Sequence, residues 1–245
     1  ILDGVNIDVP RGTIVAFMGP SGVGKTTILR LISGQLRPDA GTIEINGQHV
    51  SSMSARELHR FRRNIGVLLQ DGALFTDLTV FENIATPVRE HTDLPEPLVR
   101  RLVMSKLSAV GLGGIEDRMP HELSGGMARR VAFARAVVLD PDIMLYDEPM
   151  TGLDPIAVST IRTLMRETND ALGQTSIVVT HNVSQVRRFA DYCYILAAGK
   201  IVGEGPPEAL TASTEPSVDQ FMNGKVEGPI PFHYQPPGAP WGLLD

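Results

Sequence analysis

A glycine-rich segment with one lysine is the part of the chain that most clearly predicts chemistry. A glycine, four residues and then Gly-Lys-Thr is the pattern of a phosphate-binding loop. The matching residues are Gly19, Pro20, Ser21, Gly22, Val23, Gly24, Lys25 and Thr26, and the predicted site extends to Thr27. A β-rich apolar run over 12–18 precedes the loop and a run with helical spacing over 27–32 follows it. We therefore predict a nucleotide site, in which Lys25 reaches the β- and γ-phosphates and Thr26 helps to hold Mg²⁺.

Two adjacent carboxylates form a second candidate site. Asp147 and Glu148 end the apolar run that begins at Ile143. In a parallel sheet, ligands bind at the carboxyl ends of the strands, so both acids should lie near the phosphate loop. Consecutive strand residues face opposite ways, which allows two roles. Asp147 is placed to hold Mg²⁺ through water, and Glu148 to polarise the water that attacks the γ-phosphate.

A second glycine-containing helix start follows Leu123. Ser124 is a good N-cap, and Gly125 and Gly126 leave backbone N–H groups accessible to an anion. Taken alone, the segment favours an ordinary capped helix. Together with the other two motifs, the segment indicates one family of proteins.

Composition limits the classes of protein to consider. The 245 residues suit one large domain with embellishments, and the formal charge of −6 argues against DNA or RNA as a partner. The single cysteine, Cys193, allows no internal disulfide, so we expect a reducing compartment. No apolar run reaches the roughly 20 residues that span a bilayer. Any membrane role should therefore go through a partner. The chain opens at Ile1 without a methionine, so we expect a preceding segment.

Hydrophobic periodicity predicts alternating helices and strands. We expect a short basic helix over 54–62, strands over 64–69, 143–146, 176–180 and 192–197, and helices over 124–139, 156–171 and 183–190. Helical spacing from 78 to about 110 is interrupted by Pro87, Pro95 and Pro97, which should divide it into separate helices. The alternation predicts a mostly parallel sheet covered on both faces. After about Gly203 the pattern fades into a proline-rich tail with a short helix near 218–222.

With these motifs the chain resembles the ATP-binding-cassette (ABC) ATPases over nearly its whole length. Residues 123–126 match the LSGG signature, Gln70 the Q-loop residue, residues 152–155 the D-loop, and His181 the switch histidine. The resemblance implies an α/β fold of the phosphate-loop NTPase type: a mostly parallel central sheet, a small antiparallel β subdomain and a helical insert at about 71–139. The ATPase domain would cover 1–223, and a proline-rich extension 224–245.

The resemblance also implies an assembly. Two copies would join head to tail, with ATP between the phosphate loop of one and Ser124, Gly125 and Gly126 of the other. His181 would contact the γ-phosphate, and Gln70 would touch Mg²⁺ or water and sense a membrane partner. Asp154 of the D-loop would lie at the nucleotide. The catalytic set is then Glu148, His181 and Gln70, and the metal set is Thr26, Gln70 and Asp147.

An aromatic residue that stacks on adenine is expected in the segment before Ile1. Stacking on a base contributes about 1 to 3 kcal/mol, so a chain without that segment should bind ATP more weakly.

Within the ABC ATPases, the chain is similar to the ATPases of Mla phospholipid transport systems. The similarity rests on residues 70–84, 88–95, 123–130 and the tail 220–234. It implies phospholipid cargo moving between inner and outer membranes, an inner-membrane permease, an MCE-type periplasmic lipid-binding protein and a STAS-domain protein docked on the helical insert. The ATPase would lie at the cytoplasmic face of the inner membrane. Leu153 is a departure, because some Mla-type ATPases carry Gln there.

The tail has two interpretations. Composition alone favours a disordered proline-rich end. The resemblance implies that the tail reaches the second subunit and steadies the dimer.

Three other functions remain open on the sequence alone. A transporter ATPase with another cargo would share every catalytic motif. A non-transport ABC ATPase acting on DNA or ribosomes would usually show two cassettes, a long coiled-coil insert or basic surfaces. A module that binds ATP without turnover is disfavoured by Glu148 and His181.

Overall fold

The computed structural model describes residues 1–230, which form a β-sheet with helices on both faces. The strands are β1 Ile14–Met18, β2 Glu44–Ile45, β3 Gln48–His49, β4 Ile65–Leu68, β5 Ile143–Asp147, β6 Thr175–Thr180, β7 Tyr192–Ala197 and β8 Lys200–Gly205. The helices are α1 Lys25–Ile32, α2 Ala55–Arg62, α3 Val80–His91, α4 Glu96–Ala109, α5 Gly125–Ala136, α6 Pro155–Leu172, α7 Val183–Val186, α8 Pro207–Thr211 and α9 Pro216–Asn223. Short 3₁₀ turns cover Val50–Ser52 and Pro120–Glu122.

The main sheet has the strand order β4-β5-β6-β1-β7-β8. Its first five strands pair in parallel and β8 joins antiparallel, which confirms the predicted mostly parallel sheet. The separate pair β2-β3 is a hairpin that turns at Asn46 and Gly47, both with positive φ. Because the five parallel strands point the same way, their carboxyl ends meet along one edge.

Hydrophobic residues on each face of the sheet form two cores. On one face Val15, Phe17 and Leu145 pack against the α1 residues Ile28 and Leu29. On the other face the sheet packs against α3, α4, α5 and α6. Strands β1, β5, β6 and β7 are therefore largely buried on both sides, which explains their nearly continuous apolar runs.

The prediction that Pro87 ends a helix is wrong. Helix α3 runs through Pro87 from Val80 to His91. A proline removes one backbone hydrogen bond, but Ile84, Ala85 and Val88 are buried on the same helix, and their burial outweighs that loss. Pro95 and Pro97 do lie at a helix start, where their rings fit.

The sequence pattern also missed elements near the C-terminus. Strand β8 begins at Lys200 and was not predicted, and helix α8 lies beyond Gly203, where the pattern was expected to fade. The short helix near 218–222 is confirmed as α9. Helix α5 ends at Ala136 and α7 at Val186, both earlier than predicted. Residues 231–245 of the predicted extension, including the end of the tail segment 220–234, lie outside the described residues. Among residues 1–230, no helix combines the length and apolar character needed to cross a membrane.

Candidate nucleotide-binding and catalytic site

The loop between β1 and α1 has the backbone geometry of an anion site. Gly24 is the N-cap of α1 with φ of 107°, and it provides no side-chain cap, so the first N–H groups of the helix stay available to a ligand. At Gly19, φ is 149°, and a β-carbon there would lie 2.4 Å from the carbonyl oxygen of Leu196. The loop can therefore lie against β7 only with glycine at this position.

The side chain of Lys25 folds back onto this loop. Its Nζ donates to the carbonyl oxygens of Gly19 at 2.8 Å and Pro20 at 2.9 Å. Burial lowers the pKa of Lys25, and the nearby carboxylates of Glu148 and Asp147 partly oppose this effect. A buried cation beside a set of free N–H groups favours a polyanionic ligand.

Asp147, at the end of β5, faces the start of α1. The Thr26 hydroxyl lies 3.3 Å from each of its carboxylate oxygens. Burial raises the pKa of Asp147, and the hydrogen bond from Thr26 acts in the opposite direction. A hydroxyl and a carboxylate are hard oxygen donors next to a phosphate-type loop, so this pair fits Mg²⁺.

Glu148 is held in place by backbone and side chain. Its φ of 45° lies in the left-handed region, its N–H donates to the Val179 carbonyl at 2.9 Å, and the residue is 9% exposed. Oε1 lies 2.8 Å from Nδ1 of His181. Oε2 accepts from Thr180 at 2.9 Å and from Thr151 at 3.2 Å. The carboxylate is thus fixed at the edge of the sheet.

His181 follows the end of β6 and is much more exposed than Glu148. If Nδ1 carries the proton of a neutral ring, it donates to Glu148, and Nε2 is then an acceptor. Only the imidazolium form can donate to Glu148 and to a phosphate oxygen at once. The pair can therefore orient a water molecule or neutralise developing negative charge, depending on its protonation.

Gln70 follows β4 at the same edge of the sheet. Leu68 pairs with Tyr146, so Gln70 is carried to the side of the sheet where Asp147 and Glu148 lie, with its side chain exposed. The loop around it is fixed by arginines of α5.

Arg129 and Arg135 supply this fixation. Arg129 donates to the carbonyl oxygens of Leu69 at 3.3 Å and Thr151 at 3.4 Å. Arg135 donates to those of Gly72 at 2.7 Å and Ala73 at 2.9 Å. Hydrogen bonds therefore connect the Gln70 loop to α5 and, through Arg129, to the segment after Glu148.

The second predicted anion contact lies at the start of α5. Ser124 caps this helix through a hydrogen bond from Met127 N, as expected for an N-cap. A β-carbon on Gly126 would lie 3.0 Å from that of Ala157, so α5 begins beside the first turn of α6. Asp154 caps α6 by accepting from Ile156 N and Ala157 N through Oδ1. The structure thus brings the signature residues next to Asp154.

The sequence pattern of the family described as ABC transporter matches residues 2–151. The chain belongs to this family. The match covers the phosphate loop, Gln70, the start of α5 and Glu148. ATP hydrolysis is accordingly the activity of this ABC ATPase.

Relatives of this ABC ATPase are similar over almost its full length. It is 52% identical over 96% of its residues to the intermembrane phospholipid transport system ATP-binding protein MlaF of Haemophilus influenzae, covering 89% of that protein. MlaF of Escherichia coli K12 is also 52% identical, with 87% of its length covered. The probable ribonucleotide transport ATP-binding protein mkl of Mycobacterium leprae is 45% identical over 94% of this chain and 66% of its own length.

Solved ABC structures have the same fold. The ABC ATPase is similar, at a TM-score of 0.78 and 31% identity, to the dimeric post-hydrolysis state of the ATP-binding cassette MJ0796 bound to ADP and Pi. That match covers 84% of this chain and 90% of the other. The cbiO1 protein of Clostridium perfringens, part of the transporter complex cbiONQ, gives a TM-score of 0.80 at 31% identity, covering 92% and 88%. These matches confirm the predicted ABC fold.

The motif analysis of this ABC ATPase overlooked several contacts to the candidate residues. Thr180 and Thr151 contact Glu148, and Arg129 and Arg135 bind the loop around Gln70. The only sequence signal for Thr180 is its position next to His181 at the end of an apolar run. The two arginines lie on α5 after the signature motif, and basic residues are common on helices, so their sequence positions gave no signal.

Proposed function

We propose that this ABC ATPase powers the movement of phospholipids between the inner and outer membranes. The observation that carries the proposal is the 52% identity to MlaF proteins over 96% of the chain. The geometry supports the ATPase half of it, because the groups proposed to bind nucleotide, to bind metal and to activate water all lie at one edge of the sheet.

The binding roles follow from the contacts. The N–H groups at the start of α1 and the ammonium group of Lys25 would bind the phosphates. Thr26 and Asp147 would hold Mg²⁺, which supplies neutralisation of charge on the β- and γ-phosphate oxygens. Lys25 would exchange its bonds to Gly19 and Pro20 for bonds to phosphate oxygens, since an ammonium group in this position is already stripped of much of its water.

The catalytic roles rest on Glu148, His181 and Gln70. Glu148 would accept a hydrogen bond from the attacking water and take its proton as the water oxygen bonds to the γ-phosphorus. The bond from that phosphorus to the β-γ bridging oxygen would break in the same step, with ADP as the leaving group. His181, whose Nδ1 lies 2.8 Å from Oε1 of Glu148, would contact the γ-phosphate next to this water. Gln70, in its exposed turn, would reach the metal or the water and report the state of a membrane partner through the loop fixed by Arg129 and Arg135.

A second copy of the chain would complete the site. Ser124, Gly125 and Gly126 lie together at the start of α5, next to Asp154, and would contact the γ-phosphate bound by the other subunit. Loss of these bridging contacts on hydrolysis would loosen the dimer and move the attached partner. The proline-rich extension 224–245 would steady the dimer by reaching across it.

The remaining partners belong to the transport system. They are an integral permease in the inner membrane, a periplasmic MCE-type lipid-binding protein reached through it, and a STAS-domain protein on the helical insert at about 71–139. The ATPase would then lie at the cytoplasmic face of the inner membrane. Phospholipid is favoured over the ribonucleotide named for mkl because identity to MlaF is higher, 52% against 45%, and because more of MlaF is covered.

The test is purification of the tagged full-length protein from its native membranes in mild detergent, followed by mass spectrometry of proteins and lipids. The Glu148→Gln variant should retain bound ATP and keep the complex assembled. Lys25→Ala is the matched control, because it should bind ATP more weakly. Co-purification of a permease, an MCE protein, a STAS protein and phospholipid would support the proposal. A permease of another class with other cargo, or no membrane protein at all, would overturn the phospholipid assignment.

A further inference from the structure

Two threonine hydroxyls hold the carboxylate of Glu148. Oε2 accepts from Thr180 Oγ1 at 2.9 Å and from Thr151 Oγ1 at 3.2 Å. The Thr180 hydroxyl also accepts from the Asn182 N–H at 3.1 Å. A hydroxyl has one proton, and since its acceptor side already faces Asn182, that proton is directed at Glu148.

The contact from Thr180 is buried. Thr180 is 6% exposed and Glu148 is 9% exposed. Hydrogen bonds to a charged group are stronger in such surroundings, and the loss of one is correspondingly costly. With Oε2 bound by hydroxyls, Oε1 is the oxygen that contacts the exposed side chain of His181.

The backbone of Glu148 makes such a restraint necessary. Its φ of 45° is unusual for a residue with a long side chain, and its carboxylate is three rotatable bonds away from the backbone. The main-chain bond to Val179 fixes the Cα position but not the orientation of the carboxylate. A displacement of about 1 Å at a reacting group can cost about 100-fold in rate.

We propose that Thr180 is a positioning residue for the hydrolysis of ATP, which acts by fixing Oε2 of Glu148 so that Oε1 is presented to the attacking water. Thr151 makes the longer and less buried contact and contributes less. This inference rests on the proposed role of Glu148 as the group that activates water. The register explains the placement. Asp147 pairs with Val179, so Glu148, directly after β5, and Thr180, the last residue of β6, lie side by side.

The experiment compares three single variants of the full chain in steady-state ATPase assays. Thr180→Val keeps the shape and removes the hydroxyl, so kcat should fall about tenfold. The KM for ATP should stay within about twofold, because the Thr180 hydroxyl bonds to Glu148 and Asn182 and not to the phosphate loop. Thr180→Ser restores the hydroxyl and should recover kcat to within about threefold of wild type. Thr175→Val is the matched control on the same strand, since its hydroxyl accepts from Gly12 N, far from Glu148.

A double-variant comparison separates positioning from a general structural effect. In a Glu148→Gln background, Thr180→Val should cause no further loss of kcat, because the two residues act as one unit. Thr151→Val should lower kcat by about threefold, and it carries the test if Thr180→Val does not fold.

The outcomes are distinct. If Glu148→Gln still hydrolyses ATP normally, the role proposed for Glu148 fails. If Glu148→Gln is inactive but Thr180→Val has the kcat of wild type, the positioning inference alone is overturned. Failure of Thr180→Ser to restore kcat, or an equal loss in Thr175→Val, would also overturn it.

Discussion

The hydroxyl oxygen of Thr26 lies 3.3 Å from each of the two carboxylate oxygens of Asp147. This contact joins the first turn of α1 to the end of β5, so the phosphate loop and the acidic strand end are fixed relative to each other. Burial raises the pKa of Asp147, which means that the ionised carboxylate lowers the stability of the folded protein. Functional sites often retain such unfavourable groups because a ligand compensates for them, and the cation proposed for this site would do so.

Asp147→Asn should therefore separate stability from activity. The raised folded-state pKa means that folding binds protons at this group, so its unfavourable contribution grows as pH rises from the ordinary value of 3.8 and is fully present above the folded-state pKa. The variant should unfold at a higher temperature than wild type at pH 7, without nucleotide or Mg²⁺, and the difference should shrink toward pH 4. Its Mg²⁺-dependent ATPase activity should fall roughly 100-fold.

Asp142→Asn is the matched control, because Asp142 is an exposed acid just before the other end of the same strand. It should change neither thermal unfolding nor turnover. A lower unfolding temperature for Asp147→Asn at pH 7 would contradict the sign argued from burial.

Glu148→Gln and Lys25→Ala should fail at different steps. Glutamine keeps an oxygen that can accept from Thr180 and Thr151, so nucleotide binding should be unchanged while kcat falls roughly 100-fold or more. Lys25→Ala removes the buried ammonium group of the loop and should weaken ATP binding as well as lower kcat. Fluorescent-nucleotide titration and steady-state kinetics would measure the two effects. Turnover near wild type in Glu148→Gln would exclude Glu148 as the activating group.

Asn83→Ala should destabilise the fold through the loop that follows Gln70. The buried amide accepts from Phe75 N at 2.8 Å and donates to the carbonyl oxygens of Phe75, Leu78 and Thr79. Asn83→Ala would leave these backbone groups unpaired. The free energy of unfolding should then fall by about 2 to 3 kcal/mol, as measured by urea denaturation. Asn223→Ala, where the amide is exposed and contacts Asp219, should cost far less. Equal losses in the two variants would contradict this role of Asn83.

Much of the candidate site followed from the sequence because phosphate chemistry demands particular residues at fixed spacing. The segment 19–26 and the two acids at the end of β5 are local motifs, and each lies where the strand order predicts. Thr180 could not be assigned in this way, because its contact with Glu148 depends on the pairing register of β5 and β6, which no local pattern specifies.

The errors in the predicted elements have a similar cause. Local rules place a helix end at Pro87, yet α3 continues because its buried face packs against the rest of the helical layer. Strand β8 carries few strongly apolar residues, and it forms because it pairs with the exposed edge of β7. In both places tertiary packing overrides the local signal.

Ile156→Asp should weaken the dimer proposed for the ATP-bound state. Ile156 lies in the first turn of α6 and is 80% exposed. Its neighbour Ala157 lies against Gly126 at the start of α5, and both helix starts are expected to meet the second subunit. A buried charge at such an interface should raise the dimer dissociation constant at least about tenfold, measured by sedimentation of the Glu148→Gln variant with ATP and Mg²⁺. Leu172→Asp makes the same change at the other end of α6, where 44% of the residue is exposed, and should leave the dimer intact. If both substitutions weakened association equally, overall charge rather than contact at Ile156 would be responsible, whereas tight association of Ile156→Asp would place the dimer contact elsewhere on the molecule.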